Sequence, residues 1–181
     1  QLSELCGGHV GAGGITGVDR ARWPALAKNP VSVQVFPDAD ALNRKAAEEI
    51  SGRARAAVER HGRCSVVLSG GSTPRSVYAL LASEYQDQMP WSACHFFWGD
   101  ERCVPPVSPD SNYRMATEAM LSHVPVPAEN IHRIRAEAPD PRRAAEQYGA
   151  EIRAFFAGEP PRFDIVLLGL GPDGHTASLF P

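Results

Sequence analysis

Three short runs constrain the fold more than anything else in the chain. CSVVL (Cys64–Leu68), CHFFW (Cys94–Trp98) and FDIVLL (163–168) carry apolar residues at consecutive positions rather than alternate ones. A strand with one wet face alternates, so such runs predict strands buried on both faces, as in a parallel sheet covered by helices. Helical patterns stand between them. After a turn at Pro37 and a capping residue at Asp38, Leu42, Ala46, Ile50, Ala54 and Val58 recur every four residues, predicting a helix that ends near Gly62. A second helix is predicted from Pro74 or Arg75, with Val77, Leu80 and Leu81 facing inward. Others cover 112–121 and the stripe Ala144, Tyr148, Ile152 and Phe155, while VSVQVF (31–36) reads as one more strand and 131–134 as a weak one. The expected class is therefore α/β, a mostly parallel sheet flanked by helices. Such sheets place their chemistry at the carboxyl ends of the strands.

With 181 residues there is room for one ordinary domain and not for two large ones. Residues 31–181 read as that domain. Residues 1–30 read as a glycine-rich leader or linker, with six glycines between Gly7 and Gly17. GGHVGAGG is no phosphate loop, because no strand precedes it and no GK[ST] follows. A composition of 43% hydrophobic and 22% charged residues is globular, and no apolar run is long enough to span a bilayer. With 18 basic and 21 acidic residues the net charge is -3, which speaks against a nucleic-acid binder but leaves room for a local anion site. Cys6, Cys64, Cys94 and Cys103 are scattered without metal-like spacing and read as free thiols. With no signal peptide visible, the expected compartment is the cytoplasm.

Three polar loops follow predicted strands. In SGGSTP (69–74), Gly70 and Gly71 let backbone N–H groups converge, Ser72 and Thr73 add hydroxyls, and Pro74 suits a first helical turn. The result is either an anion pocket at a helix N-terminus or a tight turn with a threonine cap. The spacing is not GxGxxG, which argues against a nicotinamide cofactor. Asp100, Glu101 and Arg102 come straight after the aromatic strand, in position to face a ligand or to pair with one another. In GLGPDGHTASLF (169–180) the glycines and proline deliver Asp173 and His175 to a strand tip, and a helix is expected near Thr176. An imidazole can take a proton from water near neutral pH. No other histidine or cysteine stands where it would make a metal site with His175, and GxSxG is absent.

Taken together and in this order, the loops resemble the 6-phosphogluconolactonase family. The matching segments are SGGSTP (69–74), DERCVP (100–105) with SNYR (111–114), and LGLGPDGHTASLFP (168–181). The resemblance covers 31–181 and implies a Rossmann-like three-layer sandwich, shared with glucosamine-6-phosphate deaminases and ribose-5-phosphate isomerases. It implies hydrolysis of 6-phospho-D-glucono-1,5-lactone to 6-phosphogluconate in the pentose phosphate pathway, with a phosphorylated sugar lactone as partner and neither metal nor organic cofactor. Gly70, Gly71, Ser72 and Thr73 would then cradle the phosphate, with Arg102 contributing charge. His175 would activate water, Asp173 would orient the site, and Asp100 and Glu101 would organise the pocket.

Glucosamine-6-phosphate deaminases, the nearest alternative, resemble the chain at the phosphate loop and at DGH but carry a ring-opening glutamate in DGHxAFNEP. Aligned on DGH (173–175), that glutamate falls on Phe180, which cannot shuttle a proton. A sugar-phosphate-binding relative without turnover is the other alternative. Members of the family continue past SLFP, so the chain reads as a domain incomplete at its C-terminus. The leader could serve fusion to, or association with, another enzyme of the pathway.

Overall fold

The computed structural model describes residues 32–181, so the leader (1–30) and the domain boundary at residue 31 lie outside the described residues. Helix α1 spans Ala39–His61 between the two expected caps. The Asp38 carboxylate accepts the Ala41 N–H at 2.8 Å, and the Gly62 N–H closes the helix on the Val58 carbonyl. Its buried face is Asn43, Ala47, Ile50, Ser51, Ala54 and Ala57, while Leu42 lies off it, 37% exposed. The expected stripe is thus only partly right. A row of residues spaced by four turns about 40° per step around a helix, so five of them cannot share one face.

Strand β1 (Cys64–Leu68) is buried at every position and leads to α2 (Ser72–Ala82). Strand β2 (Cys94–Trp98) leads through a proline-rich loop to α3 (Asn112–Ala116), which continues as a π-helical turn, Thr117–Leu121. Strand β3 (Ile131–His132), helix α4 (Pro141–Phe155) and strand β4 (Ile165–Val166) follow, and short 3-10 turns lie at Gln86–Gln88, Trp91–Ala93 and Ala128–Asn130. The four strands form one parallel sheet in the order β3-β2-β1-β4. On one face α1, α2 and α3 pack together, with Tyr113 of α3 against Trp98. On the other, Phe155 of α4 packs against the rings of His95 and Phe97. Side chains alternate along β2, so helices cover both faces and the chain forms a Rossmann-like three-layer α/β sandwich. The core lies between these layers, centred on Val66, Leu68, Phe96, Phe97 and Tyr78.

Several local expectations fail. Residues 32–36 form no strand, and Val33 and Val35 stand exposed, because alternation shows that a segment suits a strand and not that a partner pairs with it. Of 163–168 only Ile165 and Val166 join the ladder, and α2 starts two residues early, at Ser72. No helix begins at Thr176; residues 176–179 make a tight turn instead. Cys64 and Cys94 are buried free thiols at paired positions of β1 and β2, but Cys103 is disulfide-bonded, against the expectation of four free thiols. Among the described residues no helix is long and apolar enough to cross a membrane.

Candidate active site

The loops after β1, β2 and β4 meet in a cleft of about 310 Å³ at the carboxyl ends of the strands. Gly70, Gly71, Ser72 and Thr73 form one wall. Helix α2 begins there with Gly71 as its N-cap, no side-chain cap and no acid in its first turn. Its first N–H groups and the positive end of its dipole therefore face the cleft uncompensated, a setting that favours an anion. The approach to the neighbouring loop is close: a Cβ on Gly70 would overlap the Asn112 carboxamide.

Two buried phenols hold the loops where they leave the sheet. The Tyr78 hydroxyl donates to the Ser69 carbonyl and accepts the Ser69 N–H, both at 2.9 Å. The Tyr148 hydroxyl treats Trp98 in the same way, at 3.0 and 2.9 Å. Burial pushes both phenols above their ordinary range, so they stay protonated and keep both bonds.

Asp100 is buried against the cleft. Asn112 Nδ2 donates to its carbonyl at 3.1 Å and its Oδ1 at 3.3 Å, and Ser178 Oγ donates to its Oδ2 at 2.7 Å. Glu101 is buried but does not line the cleft. Its carboxylate accepts the Arg102, Asn112 and Tyr113 N–H groups and the Ser111 hydroxyl, at 2.7 to 3.0 Å. It therefore caps α3, its two oxygens engaged by four bonds to the protein itself. Arg102 lines the cleft, exposed, and makes no ion pair among the described residues. The alternative pairing with Asp100 or Glu101 does not form.

His175 lines the cleft opposite α2, with Nδ1 hydrogen-bonded to Asp173 Oδ1. Its ring lies on Gly171, where a Cβ would collide with the imidazole. The bond from the His175 ring, supported by the His175 N–H at 3.3 Å, holds the Asp173 carboxyl below the usual carboxylate range. Asp173 itself stands outside the cleft lining. Sequence reasoning left Asn112 and Ser178 without roles, although both lie inside the quoted segments SNYR and LGLGPDGHTASLFP. Their signal was weak because each acts through another residue.

A larger hollow of about 470 Å³ lies at the opposite, amino ends of β1 and β4. There Asp164 sits between Ser65 Oγ at 2.7 Å and His61 Nε2 at 3.0 Å. The carboxylate separates hydroxyl from imidazole, so the serine is not activated, and the trio ties β4 to β1 and the end of α1. Among the described residues no group of three or more His, Cys, Asp or Glu is placed to hold a metal ion.

The family described as glucosamine-6-phosphate isomerases/6-phosphogluconolactonase matches residues 37–181. The curated 6-phosphogluconolactonase of Nostoc sp. is 44% identical over 153 residues, which cover 83% of this chain and 62% of that protein. A solved 6-phosphogluconolactonase from Trypanosoma brucei superposes with a TM-score of 0.71 at 35% identity, over 82% of this chain and 62% of that one. A monomeric glucosamine-6-phosphate deaminase, at 18% identity and a TM-score of 0.70, shares the fold. The chain thus spans about three fifths of the length of the relatives it matches. With a family match across most of its length and relatives above 40% identity, the chain belongs to the glucosamine-6-phosphate isomerase/6-phosphogluconolactonase family.

Proposed function

We propose that the protein is a cytoplasmic 6-phosphogluconolactonase of the pentose phosphate pathway, hydrolysing 6-phospho-D-glucono-1,5-lactone to 6-phosphogluconate. The observation that carries this reading is the placement of His175, backed by Asp173, across one cleft from the uncapped N-terminus of α2. The phosphate would rest on the N–H groups and hydroxyls of Ser72 and Thr73, with Arg102 supplying positive charge. Because Nδ1 is committed to Asp173, the neutral imidazole keeps the lone pair on Nε2 for a proton. Water attacks the lactone carbonyl while Nε2 takes its proton. The tetrahedral intermediate then collapses, the ring C–O bond breaks, and the imidazolium returns the proton to the leaving alkoxide. A lactone is already an activated ester, so one base in a preorganised site suffices, with no metal or organic cofactor in the scheme.

The family also includes isomerases, and Phe180 separates the two readings. It packs against the His175 ring, with centroids 4.8 Å apart, where the ring-opening glutamate of the alternative would fall. Paired assays test the assignment: lactone hydrolysis above the spontaneous rate is expected, and no ammonia from glucosamine 6-phosphate. Deamination without lactonase activity would reverse it.

A further inference from the structure

The segment 169–181 carries His175 but is bonded mostly to itself. Gly171 N–H donates to the His175 carbonyl at 2.8 Å, Gly174 N–H to the Gly171 carbonyl at 3.0 Å, and Thr176 and Leu179 exchange bonds at 3.4 and 3.0 Å. Among the described residues a single hydrogen bond joins this segment to the rest of the molecule, from Ser178 Oγ to Asp100 Oδ2 at 2.7 Å. Asp100 is a fixed post, only 7% exposed and held by Asn112 at the start of α3. The turn that presents Ser178 keeps Ala177 at φ 50°, a left-handed conformation that a Cβ disfavours. Such a conformation persists only where its surroundings enforce it, and the Ser178–Asp100 bond is the external contact at hand to do so.

We propose that Ser178 is a positioning residue: its bond to Asp100 hangs the His175 segment over the Gly71–Thr73 wall and fixes where the imidazole meets the substrate. The proposal rests on the lactonase reading for its kinetic consequence, but not for its structural one. In the full chain, Ser178→Ala should lower kcat by about ten- to hundredfold, the range expected when a catalytic group is misplaced by about an ångström. KM and the Kd for inorganic phosphate should change less than about twofold, because the helix N-terminus is untouched. Ser178→Thr and Ser178→Val are nearly the same shape and differ in the hydroxyl, so threonine should restore kcat and valine should not. Equal rates for those two, or a loss in kcat matched by an equal loss in phosphate affinity, would overturn the proposal. If the wild-type chain fails to hydrolyse the lactone above background, the lactonase reading falls and hydrogen exchange decides the latch. Ser178→Ala should then speed amide exchange across 171–178 at least several-fold, and unchanged exchange would overturn it.

Discussion

The loop after β1 and the loop after β4 enter the same cleft with opposite mechanical character. The first leaves its strand under a buried tyrosine that satisfies both backbone groups of Ser69, and it rests directly on Asn112. The loop after β2 is treated likewise by Tyr148, then stapled to α3 by Glu101. The third has no such bracket and reaches the rest of the described structure through Ser178. Buried, multiply bonded backbone opens only in large cooperative units, whereas exposed backbone with few contacts opens locally. The wall suited to an anion is therefore preformed, and the segment carrying His175 is the adjustable part. Under the proposed function such a site would bind with its rigid half and react with its softer half, so changes in the two halves should separate into affinity and rate.

The largest expected effect lies in the softer half. His175→Asn keeps polar volume but removes the base, and kcat should fall by about two to four decades with substrate affinity retained. Measuring kcat and KM on both proteins, with the folded fraction checked separately, tests the assignment. A mutant that keeps near-normal kcat would reduce His175 to a turn residue.

In the rigid half the loss should track the phosphate. Thr73→Ala or Arg102→Ala should reduce kcat/KM for the phosphorylated lactone by about one to two decades, the worth of a charge-assisted hydrogen bond at about 1.5–3 kcal/mol. Gluconolactone without phosphate should be affected far less. Equal losses on both substrates would remove these residues from the phosphate site and blur the division between halves.

The same division governs what could be read from the sequence. The strands β1 and β2, the caps of α1 and the loop segments were legible because each is a local pattern: an apolar run, an Asp or Gly at a boundary, glycines beside hydroxyls. Arg102 and His175 were legible as residue types at strand tips. The role of Glu101 was not, because a carboxylate after a strand looks the same whether it faces solvent, substrate or three backbone N–H groups and a hydroxyl. Tyr78 and Tyr148 were equally opaque. Helical periodicity marks a buried aromatic as core, but the carbonyl its hydroxyl reaches lies 9 or 50 residues away in sequence. The turn at 176–179 misled for a related reason: HTASLF has helix-compatible residues, and the contact with Asp100 that accompanies the turn lies 78 positions away.

The brackets should matter for stability more than for chemistry. Tyr78→Phe or Tyr148→Phe leaves a backbone N–H and a carbonyl without their partner inside the protein. Each should cost about 1–3 kcal/mol, read as a lower midpoint in denaturant. Amide exchange at Ser69 and Trp98 should accelerate in the respective mutants, while 171–178 keeps its wild-type exchange. If instead the third loop responds as strongly as the first, the halves are coupled and the contrast between them fails.

The smallest effect concerns two aspartates that sit on opposite sides of the same contrast. Burial alone would raise the Asp164 carboxyl, but bonds from the Ser65 N–H at 2.8 Å, the Ser65 hydroxyl and His61 outweigh it and hold the group below its ordinary range. A carboxylate with a depressed folded pKa contributes stability that is fully present above its unfolded value, about 3.9 for aspartate. That stability is lost as pH falls through the folded value, because the unfolded chain then binds the proton first. Asp164 joins β4 to β1, so its protonation should be felt by the whole domain, as a melting temperature that drops below about pH 4. Asp164→Asn should flatten that part of the curve and lower stability at neutral pH. Asp173 is also held low, yet it is exposed and its partner belongs to the same loop, so solvent screens it. Asp173→Asn should leave the acid melting curve where it was and alter only the local exchange of 171–175. Melting curves of the two variants from pH 3 to 7 decide the matter: an equal shift for both would place the third loop in the same cooperative unit as the sheet.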